Sequence, residues 1–315
     1  MLAIKTLTNN LTTFGRSVRL MGDKFEISVV GNDPLLADEQ IDIAINEINR
    51  VDRLLSTFSE DSNINRINRN AGIEPVKVSS EVFRLIDRAL QISELTHGAF
   101  DITYFAGTGY TGDDAAIATN ADVKIAPSPI MLTNYKSVVT DAAKQTIFLK
   151  EKGMRIGFGA NSRGYAADRA KYVLQMNGVS SGVINAGGDL LTWGNQPNMK
   201  PWTVVAADPT KRDEPFANLN ISNMAFATSV NAEKYTSIND KKFVNAVTAK
   251  KGFPVSEITS VSIVSPTAEL SDAMASPIIN IGVNAGLYLI NQLNQIACII
   301  IDDHNRIYTS KDVNI

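Results

Sequence analysis

Apolar side chains recur at regular spacing through most of the chain and predict interleaved helices and strands. Between 34 and 55 they recur every three or four residues, which predicts an amphipathic helix that follows a strand at 24–30. Further helices are expected at 80–96 and 165–176, and two more begin at Ser271 and Ala285, with Ser79 or Ser80 and Ser271 as N-caps. Short strands are expected at 99–104, 136–140, 146–149, 182–193, 202–207, 260–265 and 297–302. Because the order shows no regular βαβ period, it favours an α+β fold.

Two stretches of this pattern carry no regular element. Residues 105–125 are rich in Gly, Thr and Asp and are expected to form a loop. The Asn-Ala-Gly-Gly-Asp segment at 185–189 interrupts a strand, which indicates either a simple kink or a bulge where a ligand approaches the backbone. No linker separates two domains, and we therefore expect one domain over 1–315, with 1–20 as a leader remnant or an extended arm.

Composition and charge exclude several classes of protein. The chain has 315 residues, of which 44% are hydrophobic and 20% charged, so a disordered or low-complexity protein is excluded. The net charge of −3 offers no electrostatic footprint for nucleic acid or an anionic membrane, and we expect neither as a partner. The one cysteine, Cys298, lies in an apolar run, which predicts a buried thiol and excludes both an intrachain disulfide and a thiolate zinc cluster.

Two segments could bind a phosphate or a metal. The glycine-rich run at 156–165 precedes a helix, where backbone N–H groups can meet phosphate, although its spacing is neither a dinucleotide fingerprint nor a P-loop. If Ser271 caps a helix, Asp272 lies in its first turn and Ser276 four residues later on the same face. A carboxylate and a hydroxyl so placed suit magnesium, and the simpler alternative is that Asp272 only interacts with the helix dipole.

Histidine offers little for acid–base chemistry in this chain. His97 is expected beside the end of a helix and His304 in a turn, as capping or turn residues. A Gly-x-Ser-x-Gly elbow that would anchor a serine nucleophile is absent from the sequence.

Taken in order, these segments resemble the ApbE family of magnesium-dependent flavin transferases over 21–310. The resemblance is carried by Met-Gly at 21–22, the Ser-rich segment at 56–68, Gly-Ala-Phe-Asp-Ile-Thr at 98–103, Asn-Ala-Gly-Gly-Asp at 185–189, Ala-Phe-Ala-Thr-Ser at 225–229, and Asp272 with Ser276. It implies a single ApbE-like domain of two interlocked α+β halves, with antiparallel or mixed sheets flanked by helices. It also implies a protein of the periplasm or cell envelope, although 1–20 show no signal-peptide core.

The resemblance further implies a reaction and a site. FMN would pass from FAD to a threonine or serine of an acceptor protein, with release of AMP, and Mg²⁺ would bridge the FAD pyrophosphate. Asp272, Arg163 and Asn245 would form the catalytic set. Asp272, Ser276 and the backbone carbonyl at Ser162 would bind the metal. The residues implied in FAD binding are Met21, Ser56, Phe58, Asp101, Asn185, Gly187, Gly188, Thr228 and Ser229. Nothing in the sequence indicates an oligomeric state.

The chain departs from the family pattern at the chemistry. Where the family has Asp-Leu-Gly-Gly-Ile-Ala-Lys-Gly, residues 157–164 read Gly-Phe-Gly-Ala-Asn-Ser-Arg-Gly, so Gly157 replaces the aspartate and Arg163 the lysine. Asn245 replaces the family's histidine, and an amide cannot accept a proton at neutral pH. Pro277 is expected to interrupt the metal-binding helix. Two alternatives to transfer therefore stay open: an FAD-binding protein without activity, and an FAD pyrophosphatase that uses water as the acceptor.

Overall fold

A computed structural model of the chain describes residues 11–57, 59, 61–105, 134–159, 161–208, 211–231, 235–238, 241–244 and 257–311. The helices in this part of the chain are α1 (Pro34–Leu55), α2 (Asn63–Arg69), α3 (Ser80–Leu95), α4 (Asn161–Met176), α5 (Ala268–Ile281) and α6 (Val283–Ile290). The strands are β1 (Thr12–Leu20), β2 (Asp23–Gly31), β3 (Val76–Lys77), β4 (Thr103–Phe105), β5 (Val138–Asp141), β6 (Thr146–Leu149), β7 (Met154–Ile156), β8 (Gly182–Ala186), β9 (Asp189–Trp193), β10 (Thr203–Asp208), β11 (Lys211–Asn220), β12 (Ala225–Val230), β13 (Tyr235–Ile238), β14 (Lys241–Val244), β15 (Ile258–Ser265), β16 (Ala297–Asp302) and β17 (Ile307–Thr309).

An antiparallel sheet of eight strands forms the centre of the fold. Its spatial order is β1, β2, β8, β9, β12, β15, β16, β17, and each neighbouring pair is antiparallel. Smaller antiparallel groups join β10 to β11, β13 to β14, β4 to β7, and β3 to β6 to β5. The expected α+β class with antiparallel sheets is thus confirmed.

Helices α1, α4 and α5 pack side by side against the central sheet. Helix α1 contacts β2 and α4, and α5 contacts α4, β12 and β15. Helix α1 begins as its sequence predicts, with Pro34 in the first turn and the carboxylate of Asp33 accepting hydrogen bonds from the N–H groups of Leu35 and Leu36. Its buried face consists of Ala37, Ile41, Ala44, Ile48, Val51 and Leu55. Helix α4 also contacts β8 and β9, and α5 contacts β9, so both helices lie over the β8–β9 pair.

The expected single strand at 182–193 is instead a hairpin. Strands β8 and β9 pair from Gly182 opposite Trp193 to Ala186 opposite Asp189, with Gly187 and Gly188 as the turn between them. Both glycines have positive φ, +69° and +110°, the region that a two-residue hairpin turn requires and that glycine adopts without strain. The alternation of apolar residues continues on both sides of the turn, which is why the sequence pattern read as one strand.

The predicted start of the helix that carries Asp272 is wrong. Helix α5 begins at Ala268, and Thr267 is its N-cap, with Oγ1 accepting a hydrogen bond from the N–H of Leu270 at 3.3 Å. Ser271 is buried, and its Oγ lies 2.7 Å from the Oγ of Ser265 in another element. Asp272 therefore lies in the second turn of α5 and not in the first.

Pro277 does not end this helix, because α5 continues to Ile281. The proline costs one intrahelical hydrogen bond, but the helix is held on both sides of it by the packing of Met274 and Ile278, which are fully buried. Helices α4 and α6 also begin earlier than expected, at Asn161 and Val283.

Two further features of the fold concern burial and membranes. Cys298 is fully buried in β16, as expected, and burial raises the pKa of its thiol to about 12. Among the residues that the structure describes, no helix is both long and apolar enough to cross a membrane. The expected loop at 105–125 lies outside the described residues after Phe105.

Candidate active site

Four charged side chains from four elements meet beside the N-terminus of α4. Arg163 lies in the first turn of α4, with its Nε 3.8 Å from a carboxylate oxygen of Asp23 at the start of β2. Asp189 begins β9 and interacts electrostatically with Arg163, with Asp23 and with Asp272 of α5. We call Asp23, Asp189 and Asp272 the acidic cluster. Among the described residues, three carboxylates surround this one guanidinium, a balance of charge that favours a cation.

The pKa of Asp189 reflects its burial and the acidic groups beside it. Burial, followed by the neighbouring Asp272 carboxylate, raises the pKa of Asp189 to about 7. Arg163 and a hydrogen bond from the backbone N–H of Thr228 act in the opposite direction and do not offset the rise. A raised carboxyl pKa beside further carboxylates marks a concentration of acidic groups, as sites that bind cations commonly have.

The turn between β8 and β9 brings backbone close to the acidic cluster. Gly187 has a φ of +69°, which an L side chain rarely adopts, and a Cβ atom there would lie 2.5 Å from a carboxylate oxygen of Asp23 and displace it. Asn185 supports the turn: its Oδ1 accepts a hydrogen bond from the N–H of Gly188 at 2.8 Å, and its Nδ2 donates to Glu26 at 3.1 Å. In this structure Asn185, Gly187 and Gly188 therefore shape the wall of the cluster.

A close contact between α4 and α5 sets the position of Asp272. A Cβ on Gly164 would lie 2.7 Å from the carbonyl oxygen of Ala268, so the two backbones touch at this point. One turn later in α4, the carboxylate of Asp168 accepts hydrogen bonds at 2.9 Å from the N–H groups of both Ala268 and Glu269. Asp168 thus caps the helix that carries Asp272, a role for which its own local sequence gives no signal.

The residues expected to hold Mg²⁺ have chemistry that fits this ion. Asp272 is partly buried, and Ser276 is exposed one helical turn later on the same face of α5. Ser162 precedes Arg163, and its hydroxyl donates to the carbonyl of Gly159 at 2.7 Å. The amide of Asn161, at the start of α4, is buried, and neither of its polar atoms has a hydrogen-bond partner among the described residues. Carboxylate, hydroxyl and amide oxygens are all ligands that magnesium accepts.

Other residues implied in FAD binding lie around the cluster. Met21, in the turn between β1 and β2, has a positive φ of 51° and packs against the core two residues before Asp23. Thr228 and Ser229 lie on β12, and Oγ1 of Thr228 is 2.8 Å from Oγ of Ser262. The N–H of Thr228 is also the group that bonds Asp189. The turn with Met21 and the strand with Thr228 therefore both adjoin the acidic cluster.

Ser56 and Asp101 belong to a second group of loops. The Asp101 carboxylate accepts hydrogen bonds from the N–H and Oγ1 of Thr103 and, at 3.1 Å, from the N–H of Tyr135. Ser56 ends α1 and accepts a hydrogen bond from the N–H of Ser59 at 3.1 Å. These loops approach α4 at Gly157, whose N–H donates to the carbonyl of Ile102 at 2.9 Å. Phe58 and Asn245, which the resemblance also implied, lie outside the described residues.

Reasoning from the sequence missed Asp23, Asp189 and Asn161. Asp189 directly follows the glycine pair at 187–188, and Asp23 directly follows Met-Gly at 21–22, so adjacency to a turn was the available signal. The two histidines lie where the sequence predicted. His97 has a positive φ of 51° just after α3, and His304 lies in the turn after β16, with Nδ1 2.8 Å from the Asp303 carboxylate.

Comparison with known proteins matches this chain over nearly its whole length. The sequence model of the ApbE family matches residues 21–300. A protein of Klebsiella pneumoniae named FAD:protein FMN transferase is 26% identical over 304 residues, which cover 94% of this chain and 92% of the relative. A Salmonella typhimurium protein of the same name is 26% identical over 271 residues, 84% of this chain and 77% of its own length.

Two solved structures share the fold. The ApbE protein of Thermotoga maritima superimposes with a TM-score of 0.77 at 23% identity, over 95% of this chain and 97% of its own. The flavin transferase ApbE of Vibrio cholerae superimposes with a TM-score of 0.78 at 18% identity, over 96% and 98% of the two chains.

Proposed function

Because this chain belongs to the ApbE family, we propose that it is a magnesium-dependent FAD:protein FMN transferase, which moves FMN from FAD to a threonine or serine hydroxyl of an acceptor protein. The observation that carries the proposal is the meeting of Arg163 with the acidic cluster at the N-terminus of α4, within the span that the family matches. Carboxylates for a cation and a guanidinium with a helix N-terminus for phosphates are the two halves of a metal–diphosphate site.

The reaction exchanges one bond to phosphorus for another. The acceptor hydroxyl oxygen bonds to the FMN phosphorus, and the bond from that phosphorus to the bridging oxygen breaks. AMP leaves with the bridging oxygen, and the hydroxyl proton passes to a base or to solvent. The chemistry that magnesium supplies, when bound, is the neutralisation of charge on the diphosphate oxygens.

The chain's own residues would bind and orient the two phosphates. Asp272, with Ser276 and the carbonyl of Ser162, would hold the cation. Arg163 is only 17% exposed, so its guanidinium is held in the site and can donate hydrogen bonds to phosphate oxygens in a fixed fork. The glycines at 187 and 188 would allow the substrate to approach the backbone of the β8–β9 turn.

Proton transfer is the step for which this chain has an unusual residue. Asn245 stands where the family pattern has histidine, and its amide cannot accept a proton at neutral pH. This residue favours two alternatives over rapid transfer: FAD binding without reaction, or hydrolysis of FAD to FMN and AMP with water as the acceptor. Analysis of the products separates all three functions.

The test combines purified protein, FAD, magnesium and a threonine-bearing acceptor domain. Transfer would release AMP and add the mass of FMN to the acceptor, and Asp272→Ala would abolish both. Asp87→Ala is the matched control, because Asp87 is also a partly buried helical aspartate but lies on α3, where it bonds Gln91. AMP with free FMN and no adduct would identify a pyrophosphatase. Binding with no product would identify an inactive FAD-binding protein, and the absence of FAD binding would refute all three.

A further inference from the structure

Asn161 is a buried amide whose polar groups meet no partner in the part of the chain that the structure describes. The residue is 5% exposed, and neither Oδ1 nor Nδ2 has a hydrogen-bond partner among the described residues. Asn68, which is 9% exposed, shows the usual arrangement: its Oδ1 accepts from the N–H of Ile156 at 2.8 Å and its Nδ2 donates to the carbonyl of the same residue at 3.0 Å. An unpaired buried amide destabilises the folded state, so its presence requires an explanation such as a ligand.

The packing of α4 on α5 places Asn161 beside the turn that carries Asp272. In a helix, N–H groups point toward the N-terminus and carbonyl groups toward the C-terminus. Asp168 meets the N–H of Ala268, whereas Gly164, one turn earlier in α4, meets the carbonyl of Ala268. Arg163 of α4 and Asp272 of α5 both interact with Asp189, so the first turn of α4 lies near the second turn of α5. Asn161 lies seven residues before Asp168, on the same face of α4, and so faces the second turn of α5.

The charges around this point favour a ligand with both signs of charge. A lone anion would meet the three carboxylates of the acidic cluster, and a lone cation would leave Nδ2 of Asn161 without an acceptor. A divalent cation bound to a diphosphate offers a positive centre for Oδ1 and phosphate oxygens for Nδ2. The N-terminus of α4, a helix of 16 residues that Asn161 begins, also favours phosphate.

We propose that Asn161 is a substrate-binding residue that contacts the metal–diphosphate of a dinucleotide, with Oδ1 toward the cation and Nδ2 donating to a phosphate oxygen. This proposal rests on the proposed function, since it assigns a further contact in the same site. It makes Asn161 a determinant of affinity for metal-bound diphosphates, where the family pattern has an isoleucine that can form no such contact.

The test measures binding and stability in Asn161→Leu, which keeps the size and branching of the side chain and removes its polar atoms. Binding of Mn²⁺ alone and of Mn²⁺ with ADP is followed by calorimetry and by the electron paramagnetic resonance of Mn²⁺. We expect at least a tenfold loss of affinity for Mn²⁺–ADP and a change of threefold or less for Mn²⁺ alone. Without ligand, the melting temperature of the variant should equal or exceed that of the wild type, because the unpaired amide is gone.

Asn68→Leu is the matched control, since it removes a buried amide whose two hydrogen bonds are made within the protein. It should lower the melting temperature, and its folded fraction should bind Mn²⁺–ADP as the wild type does. If Asn161→Leu also lowers the melting temperature and binds Mn²⁺–ADP normally, Asn161 is structural and the proposal is wrong. An equal loss for Mn²⁺ and Mn²⁺–ADP would make it a cation ligand only and overturn the diphosphate contact.

The proposed function has its own readout in the same experiment. If Asn161→Leu binds Mn²⁺–ADP normally while Asp272→Ala does not, the role of Asn161 is refuted and the metal–diphosphate site stands. If the wild type binds neither Mn²⁺–ADP nor Mn²⁺–FAD, both proposals fail together.

Discussion

Replacing Gly164 by alanine should separate α4 from α5 and weaken both the fold and the binding of FAD. The added Cβ would lie 2.7 Å from the carbonyl oxygen of Ala268, 2.8 Å from its carbon and 2.9 Å from the nitrogen of Glu269. All three atoms belong to the backbone, so no side-chain rotation relieves the contact. To bring the shortest distance to an ordinary packing contact of 3.4 Å, the helices must move apart by roughly 0.7 Å.

Two opposing effects set the change in the free energy of unfolding. Overpacking of a tight contact costs about 1–3 kcal/mol, and three short backbone contacts place Gly164→Ala in the upper part of that range. Alanine stabilises a helix interior by about 1 kcal/mol relative to glycine. We therefore expect a net loss of stability of about 1–2 kcal/mol.

Denaturant unfolding, followed through the fluorescence of the buried Trp193, measures this loss directly. Asp272 lies one turn after Ala268, so the same displacement moves it relative to Arg163. A loss of about 1 kcal/mol in binding would weaken FAD affinity about fivefold, which a flavin fluorescence titration detects.

Gly286→Ala in α6 is the control for this prediction. Its Cβ would make one short contact, with Cγ2 of the buried Ile278 at 2.7 Å, whereas a Cβ on Gly164 meets three backbone atoms, and we expect a smaller loss of stability with unchanged FAD affinity. If Gly164→Ala is as stable as the wild type, the helices separate without cost and the reasoning is refuted. A loss of stability with normal FAD affinity would refute the link between this contact and the site.

Three further predictions follow from buried polar groups. Burial raises the pKa of Asp168 to about 7. Between about pH 4 and 7, the folded state therefore holds a proton that the unfolded state has released. The contribution of Asp168 to the free energy of unfolding falls as pH rises through this range, by at most about 1.4 kcal/mol per pH unit. Urea unfolding at pH 5 and pH 7.5 should therefore show that the stability of Asp168→Asn, relative to the wild type, is greater at pH 7.5 than at pH 5. An equal difference in stability at the two pH values would contradict this prediction. Asn68→Leu should lower the free energy of unfolding by about 2–4 kcal/mol, because the backbone N–H and carbonyl of Ile156 both lose their hydrogen-bond partner. Denaturant unfolding measures this change, and a loss under about 1 kcal/mol would be too small for two buried hydrogen bonds. Cys298 should react with a thiol reagent at pH 8 only after unfolding, since burial raises its pKa to about 12; rapid reaction of the native protein would count against this.

Local pattern predicted those elements whose signals lie within their own residues. Helix α1 has its cap at Asp33, its proline at 34 and its apolar face all within one segment, and the structure shows the predicted bounds. Helix α3 likewise begins after Ser79, whose hydroxyl accepts a hydrogen bond from the N–H of Val82. The order of short motifs along the chain was also sufficient to identify the family and to single out Arg163 and Asp272.

Where a helix end depends on a distant residue, the local pattern misplaced it. The sequence around Ser271 has the form of an N-cap, but the hydroxyl of Ser271 pairs with that of Ser265. Helix α5 begins three residues earlier, at Ala268, whose N–H donates to the carboxylate of Asp168. Asp168 lies about a hundred residues away in the chain, so no window around α5 contains the group that caps it.

The sequence by itself determined the α+β class, the family and the types of residue available for binding FAD and a cation. Only the tertiary structure decided that Asp23 and Asp189 join Asp272 around Arg163, and that the amide of Asn161 is buried with no hydrogen-bond partner among the described residues. The physical reason is that periodicity and capping are interactions between near neighbours in the chain. Electrostatic energy and burial depend instead on distances in space, which the pairing of β2 with β8 and the packing of α4 on α5 determine.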